Sequence, residues 1–401
     1  MIGGRSINLA LSTRGIHALQ QIGIAEEVLQ NAIPMPGRMI HEKSGALHFA
    51  PYDVDPNKHI NSIGRAALNT TVIEAAQRYS NVRVYFNRKC ISVDLDSATA
   101  QLLNTSTSQQ ITSSGDAVIG VDGAFSAVRQ SMQLAIDNFE YDESYLAHGY
   151  KELTIPPGPN ASWRMKKNAL HIWPRKSFMM IALPNPDGSF TCTLFWELEG
   201  PRSFATTKSG EDVLRFFDEE FPDAVPLMPN LLDDFKNNPT GSLVTVRCAP
   251  WVYRDRVCLV GDAAHAVVPF YGQGMNAAFE DCVVLDECLQ EFSQDRDRAF
   301  AKYFERRKAN ADALADLALE NFVEMRDKTA SKTFRTKKRL DHFLEAALPG
   351  IYLPLYTMVT FTRIPYARAR RRARLQDIIV YGVLGLITLL LAALALRLVA
   401  A

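Results

Sequence analysis

Apolar residues along the chain fall into short blocks whose spacing predicts alternating helices and strands. Residues 17–30 and 67–79 carry apolar side chains at helical spacing, which predicts two short helices. Asp116–Val121 is a nearly continuous apolar run, which favours a strand buried on both faces of a parallel sheet. Three further runs, separated by polar turns, predict strands at Val82–Phe86, Cys90–Leu95 and Thr99–Leu103.

The middle of the chain consists of short runs rich in aromatic residues: Leu170–Trp173, Phe178–Leu183 and Phe190–Trp196. The last two runs flank Asn185-Pro186-Asp187-Gly188, which is a strong hairpin signal. These features predict a mostly antiparallel sheet over residues 146–246, forming a second domain.

Helical spacing dominates the chain after this sheet. Arg256–Gly261 is one more buried-strand run, and helices are predicted at 274–292, 296–328 and 334–347. The order of strands indicates that the first domain resumes after the insertion. The predicted fold is therefore an α/β core interrupted by a mostly antiparallel sheet, followed by C-terminal helices.

The C-terminal stretch Ile378–Leu396 has nineteen residues and no charged side chain. As a helix it is about 28 Å long, which is close to the hydrocarbon thickness of a bilayer. A buried core helix is the alternative, but a terminal helix that is apolar all round would need other parts of the chain to cover it. The stretch predicts a transmembrane tail anchor whose basic side stays in the cytosol. Five arginines form that basic side: Arg368, Arg370, Arg371, Arg372 and Arg374.

Composition narrows the class of protein without naming a function. The chain has 401 residues, of which 47% are hydrophobic and 22% charged, and this favours two closely joined globular domains. Lys+Arg and Asp+Glu are both 44, so a global basic field for nucleic acid is absent. None of the six cysteines forms a Cys-x-x-Cys pair or partners a histidine at zinc spacing, which favours reduced thiols and no metal site.

The segment Arg256–Asp281 carries the most specific chemistry. Its predicted strand ends at Asp262, and a carboxylate at the end of a parallel strand lies where such sheets bind ligands. Gly272-Gln273-Gly274 then opens a helix, where glycine permits close approach of a ligand and the helix N-terminus favours negative charge. The match to G-x-G-x-x-A does not directly follow the strand, so it is not interpreted as a dinucleotide fingerprint.

Several separated blocks of this sequence resemble one family. GDAAHAVVPFYGQGMNAAFED, at 261–281, is similar to the second flavin motif of the aromatic-hydroxylase family of FAD-dependent monooxygenases. GDAVIGVDGAFSAVR, at 115–129, resembles that family's Asp-Gly motif for flavin and nicotinamide binding. Four more blocks narrow the resemblance to members that hydroxylate L-kynurenine: GRSINLALSTRG at 4–15, HGYKELTIPP at 148–157, LHIWPRKSFMMIALPN at 170–185 and PLYTMVTF at 354–361.

Position by position, the resemblance implies two sets of site residues. Arg38 would clamp the substrate carboxylate, and the other predicted substrate residues are Tyr52, Asn321 and Tyr356. On its own, Arg38 would be interpreted as a solvated surface charge and the two tyrosines as core packing, with a membrane-interface role as a further alternative for Tyr356. The predicted cofactor contacts are Ala10, Arg65, Cys90, Asp122, Asp262, Pro269, Gly274, Met275 and Asn276.

The resemblance also implies that a cofactor, rather than a side chain, performs the chemistry. FAD would be the cofactor and NADPH the co-substrate, and one atom of O2 would be added to the aromatic ring beside its amino group. No residue is assigned as the catalyst, and His265 is interpreted as a hydrogen-bonded scaffold. Two alternatives remain: a related hydroxylase of another aromatic substrate, and a non-catalytic membrane-tethered protein.

One departure from the family pattern concerns the start of the chain. Relatives begin with a βαβ unit of at least ~30 residues that carries G-x-G-x-x-G, and this unit would precede Gly4. The expectation is an incomplete Rossmann-like FAD-binding domain that binds FAD poorly.

The predicted domains follow from these assignments. FAD binding is assigned to 1–145 and 247–310, with 38–57 contributing to the substrate site. The remaining parts are the substrate domain at 146–246, a helical region at 311–366 and the transmembrane helix at 378–396. The resemblance implies the mitochondrial outer membrane, with the catalytic part facing the cytosol, and the endoplasmic reticulum is the alternative.

Overall fold

The protein is represented by a computed structural model that describes residues 8–53, 55, 57–325 and 332–400. The first four residues of the 4–15 block and the predicted end of the helix at 296–328 lie outside the described residues.

The strands of the described residues are, in chain order, β1 Asn8–Leu11, β2 Ile33–Met35, β3 Gly37–His41, β4 Leu47–Pro51, β5 Ile60–Gly64, β6 Arg88–Asp94, β7 Thr99–Asn104, β8 Gln110–Ser114, β9 Val118–Gly120, β10 Glu140–Ile155, β11 Leu170–Arg175, β12 Phe178–Pro184, β13 Phe190–Glu197, β14 Thr240–Ala249, β15 Val252–Tyr253 and β16 Val257–Leu259. The α-helices are α1 Thr13–Gln21, α2 Ala25–Gln30, α3 Arg65–Gln77, α4 Ala127–Ala135, α5 Gly210–Glu220, α6 Leu231–Asn237, α7 Asp262–His265, α8 Gly274–Glu291, α9 Arg296–Val323, α10 Lys332–Ala347, α11 Leu355–Thr360 and α12 Tyr366–Ala400.

A seven-stranded sheet forms the centre of the substrate side, in the order β14-β10-β13-β12-β11-β3-β4. All its neighbouring strands are antiparallel except β11 and β3, which run parallel. Strands β15-β16-β9 form a smaller sheet in which β16 and β9 are parallel. This arrangement confirms the predicted α/β fold with a mostly antiparallel insertion. The domain boundaries stay predictions, although β10 and β14 extend beyond residues 146 and 246.

Three local predictions are wrong. The helix predicted over 17–30 is interrupted, because α1 ends at Gln21 and α2 begins at Ala25, with Gly23 between them at φ 74°. Val82–Phe86 is not a strand, and Val82, Tyr85 and Phe86 are exposed. Apolar character is not enough for a strand without a neighbour to hydrogen-bond it, and none of the described strands pairs with this segment. Strand β9 lies at a sheet edge among the described residues and its Ile119 is exposed, so it is not covered on both faces.

The C-terminal helix α12 is long and apolar enough to cross a membrane, and its most apolar part is not buried by the described chain. The alternative of a buried core helix is therefore wrong.

Strand β3 reaches the substrate sheet from the first part of the chain and is fixed there by a buried polar cluster. His41 on β3 contacts Asp223 through Nδ1 at 2.6 Å, and its Nε2 lies 2.8 Å from Nδ1 of His171 on β11. The other ring nitrogen of His171 lies 2.9 Å from the carbonyl of Lys166. Trp173 donates to both carboxylate oxygens of Asp223. Because β3 also carries Arg38, this cluster fixes a predicted site residue.

We expect this cluster to make the free energy of unfolding fall as the pH is lowered. Burial lowers the pKa of His171 to about 4, below the ordinary value of 6.5, so the unfolded chain takes up the proton first. The contribution of His171 to the free energy of unfolding is complete above pH 6.5 and is lost as the pH falls from 6.5 toward 4. Between pH 7 and pH 5 this loss is about 2 kcal/mol. Urea unfolding at both pH values should show that His171→Asn removes this loss. The matched change at the exposed His48 should keep it, and equal pH dependence of the two variants would contradict the assignment.

Candidate active site

A cavity of about 330 Å³ lies between the seven-stranded sheet and the start of α8. Its walls include most of the predicted substrate and cofactor residues: Arg38, Tyr52, Tyr356, Ala10, Arg65, Asp262, Pro269, Gly274 and Met275. One continuous space therefore brings together residues that are far apart in sequence.

The N-terminus of α8 forms one side of this cavity. Gly274 and Met275 begin the helix and line the space, so the unpaired backbone N–H groups of its first turn lie beside the cavity. Gly272 just before it has φ 66°, and a Cβ there would lie 3.1 Å from the Cβ of Ala10. Glycine is therefore required at position 272 for the backbone to turn this close to β1. The unpaired N–H groups at the start of α8 suit a polar or anionic ligand.

Asp262 lies at the carboxyl end of β16 and is open to the cavity. Removal from bulk water by the surrounding walls raises the pKa of its carboxyl group, and His265 and Arg65 oppose that shift. Arg65 begins α3 and also lines the cavity. A carboxylate and an arginine at this position can accept and donate hydrogen bonds to a ligand carrying hydroxyl and phosphate groups.

Asn276 lies beneath the cavity and joins α8 to β1. Its side-chain nitrogen donates to the carbonyls of Ala10 and Gly272, at 2.8 and 2.9 Å, and its side-chain oxygen accepts from the backbone of Ser12 at 2.9 Å. Asn276 is fully buried and does not line the cavity. Its predicted cofactor role is therefore, in this geometry, to hold the backbone that surrounds the ligand space.

A buried network of charges holds the rest of α8. Glu280 pairs with Arg14 at 2.6 Å and with Arg307 at 2.6 Å. Asp281 pairs with Arg307 at 2.5 Å and with His265 at 2.6 Å. The pKa of Asp281 is lowered, although burial opposes this, because His265 and Arg307 stabilise its charge. His265 is a hydrogen-bonded scaffold, as the sequence predicted.

Arg38 lies at the substrate end of the cavity, above two aromatic rings. Its guanidinium carbon is 5.4 Å from the ring centre of Tyr52 and 5.3 Å from that of Tyr356. Within the described part of the chain, Nε of Arg38 and the hydroxyl of Tyr52 are buried without a hydrogen-bond partner. Burial opposes the charge, but the facing tyrosines and Glu324 outweigh it and raise the pKa of Arg38. A half-buried cation with an unpartnered donor facing a cavity is suited to a ligand carboxylate.

Three tyrosines form a stack along this end. The Tyr356 ring lies 5.1 Å from that of Tyr52 and 5.8 Å from that of Tyr271, nearly parallel to both. Tyr356 also lines the main cavity. Burial raises the pKa of Tyr52 well above its ordinary value, so its hydroxyl remains a donor at neutral pH.

Three predicted site residues lie away from the main cavity. Asn321 lines a smaller cavity of about 120 Å³ behind Tyr356, and it donates to the carbonyl of Phe270 at 2.7 Å. Asp122 accepts from the backbone N–H groups of Ala127 and Val128 at the start of α4. Cys90 is half-buried on β6. Burial raises the pKa of its thiol, and the negative charge of the nearby Asp122 adds to that rise. Their ligand roles stay predictions.

The sequence did not single out the apolar wall of the cavity. Met179, Ile181 and Leu183 on β12 line it, together with Phe195 on β13. Alternate residues of a strand face the same side, but every residue of Phe178–Pro184 is apolar, so the sequence carries no signal for which alternate set lines a cavity.

Comparisons with known proteins identify the family. The FAD binding domain model matches residues 7–318. The chain is 50% identical to kynurenine 3-monooxygenase of Dictyostelium discoideum, over 92% of this chain and 82% of that protein. It is 47% identical to kynurenine 3-monooxygenase of Myxococcus xanthus, over 94% of this chain and 81% of that protein. The chain belongs to the kynurenine 3-monooxygenase family. It is thus an FAD-dependent aromatic monooxygenase, as the resemblance implied.

Solved structures support the fold. The tetrameric form of 2-methyl-3-hydroxypyridine-5-carboxylic acid oxygenase superposes with a TM-score of 0.65 at 21% identity, covering 86% of each chain. Klebsiella pneumoniae HpxO in complex with FAD and uric acid gives a TM-score of 0.61 at 18% identity, covering 84% of each chain.

The residues present fit FAD. The glycine turn at Gly272, the open N-terminus of α8 and the cavity-facing Asp262 supply close backbone approach, N–H donors and a hydrogen-bond acceptor. The expectation of poor FAD binding concerns what precedes Gly4 and stays a prediction.

We expect Asn276→Asp to reduce FAD retention. The carboxylate would lose two donations to carbonyls and face both with a negative charge, which destabilises the backbone at Ala10 and Gly272 by about 3 kcal/mol and so lowers FAD retention. The visible absorbance of the desalted protein relative to its absorbance at 280 nm measures the bound flavin. Gln290→Glu makes the same amide-to-carboxylate change on the exposed end of α8 and should leave it unchanged. Normal FAD retention by Asn276→Asp would contradict this role.

Proposed function

We propose that the protein hydroxylates L-kynurenine to 3-hydroxy-L-kynurenine, consuming NADPH and O2, with FAD as its cofactor. The observation that carries the substrate assignment is the half-buried Arg38, whose Nε is buried without a hydrogen-bond partner among the described residues and whose guanidinium lies over tyrosine rings in the same cavity as the N-terminus of α8. The names of the relatives support the same substrate.

The cavity matches the chemistry of an amino acid that carries an aromatic ring. The substrate carboxylate would pair with Arg38, and the Tyr52 hydroxyl would donate to it. The apolar wall formed by Met179, Ile181 and Phe195 would receive the ring and exclude water. This orientation would direct the ring from Arg38 toward α8, where the cofactor is expected.

The flavin would supply the redox and oxygen-activating chemistry when bound. The side chains and backbone of the protein would bind the cofactor and the substrate, orient the substrate ring and exclude water from the site. The start of α8 would stabilise negative charge on the cofactor, and Asp262 would accept a hydrogen bond from one of its hydroxyl groups. Binding of the carboxylate by Arg38 would convert a flexible amino acid into an oriented substrate, which is a major part of the rate advantage in such a site.

Membrane attachment is part of the proposal. The exposed apolar helix α12 and the arginines before it support a C-terminal anchor with the catalytic part in the cytosol. The resemblance favours the mitochondrial outer membrane as the location. Imaging of the tagged full chain beside outer-membrane and endoplasmic reticulum markers tests this location, and co-localisation with the reticulum marker would contradict it.

We expect Arg38→Met to weaken turnover of L-kynurenine at low substrate concentration. Removing one partner of a buried charge pair costs about 2–5 kcal/mol, so kcat/KM should fall by about 30-fold or more. The measurement follows NADPH loss together with 3-hydroxykynurenine formation, and flavin absorbance confirms that the cofactor is retained.

Arg88→Met removes an exposed arginine on β6 and is the matched control. It should keep full activity. Unchanged kcat/KM in Arg38→Met would contradict the substrate assignment, and absence of kynurenine-dependent product from the FAD-loaded, unmodified protein would contradict the proposed function.

A further inference from the structure

The segment between α10 and α11 is tied to the base of α12. Arg372 donates to the carbonyls of Gly350 and Ile351, at 2.9 and 2.8 Å. Gln376 donates to the carbonyl of Leu353 at 2.8 Å and accepts from its backbone N–H at 3.3 Å. These bonds fix the segment beside the last turns that precede the apolar stretch beginning at Ile378.

Helix α10 is attached at the same level. Lys337 forms an ion pair of 3.3 Å with Asp377, the residue directly before the apolar stretch. Tyr352 points inward and donates to Asp341 at 2.6 Å. The C-terminal half of α10 and the segment after it therefore form one unit with the base of α12.

This unit presents large apolar side chains outward. Phe343 is 66% exposed, Leu348 42% and Ile351 73%. On α12 the neighbouring Leu375 and Ile378 are 61% and 67% exposed. Apolar side chains of this size gain free energy by leaving water, and a group of them beside a predicted span indicates an interaction surface.

We propose that Phe343, Leu348 and Ile351 insert into the interfacial layer of the bilayer beside α12, giving the protein a second membrane contact. The inference rests on the proposed membrane anchor. The bilayer is the occupant because the segment is hydrogen-bonded to the base of the very helix that would enter the membrane.

Charge supports the same occupant. Arg368, Arg371 and Arg374 are exposed and spaced three apart, so they lie along one side of α12. Arg374 is about 6 Å before Ile378 along the helix, which places it at the level of lipid phosphates when the span is inserted. A basic helix face beside exposed apolar side chains is the composition of an interfacial membrane surface.

The contact would also set how the active site faces the bilayer. Tyr352 and Leu355 line the smaller cavity, which shares Tyr271 and Tyr356 with the main cavity. A segment held in the interface would therefore keep this wall of the site at a fixed distance from the membrane surface.

The test uses the full chain in vesicles of 80% phosphatidylcholine and 20% phosphatidylserine, with an environment-sensitive fluorophore on one introduced cysteine. Cys282→Ser and Cys90→Ser remove the exposed and the half-buried native thiols, and burial raises the pKa of the remaining Cys192, Cys248, Cys258 and Cys288 thiols and slows their labelling. The labelled positions are Ile351→Cys, Leu386→Cys within the span and Leu232→Cys on the exposed surface of α6. Flavin absorbance checks each variant for folding, and Leu348→Cys replaces Ile351→Cys if that variant fails.

We expect lipids spin-labelled near the headgroup to quench most of the Ile351 fluorescence and to leave Leu232 unquenched, while lipids labelled deep in the acyl chain quench Leu386. Quenching at Leu386 with an unquenched Ile351 would overturn the inference and leave the anchor intact. An unquenched Leu386 would overturn the anchor and the inference with it. If the fluorophore at position 351 shows blue-shifted emission but is not quenched by either lipid, the surface contacts protein and the proposal is overturned.

Discussion

The structure depends on a buried network of charges that holds helix α8 in place. Glu280 and Asp281 on this helix pair with Arg14, Arg307 and His265, which come from three other parts of the chain. Removing one partner of such a network typically costs about 3–5 kcal/mol because the remaining charge is left buried. The network is a constraint as much as a source of stability, since it permits few other positions for the helix.

Fixing α8 fixes the cofactor end of the cavity, and β3 supplies the substrate end. The helix N-terminus is brought against β1 through Asn276, while β3 leaves the first part of the chain and pairs with β11 in the substrate sheet. Arg38 thereby faces a cavity whose other residues come from the substrate sheet, from the α/β part and from the C-terminal segment. The site is a junction of both parts of the fold, so its geometry depends on their packing.

Sequence periodicity predicted elements whose pattern is local, such as the helix found at Arg65–Gln77 and the buried strand found at Val257–Leu259. It could not predict contacts that tertiary packing decides. Arg14 and Glu280 are 266 residues apart, and nothing in either local pattern identifies the other. Val82–Phe86 has strand-like composition, but pairing depends on a neighbour that composition does not specify. Arg38 and the tyrosines were predicted through resemblance, and only the structure shows that they share one cavity.

The central claim is that Arg38 orients the substrate by binding the substrate carboxylate. A thermodynamic cycle that removes the arginine, the carboxylate or both tests this claim most directly. The kcat/KM of the unmodified protein and of Arg38→Met is measured with L-kynurenine and with its decarboxylated analogue. The account predicts a coupling of about 2–4 kcal/mol, because the arginine matters only when the carboxylate is present. Equal losses for both substrates would contradict it and would assign Arg38 a structural role.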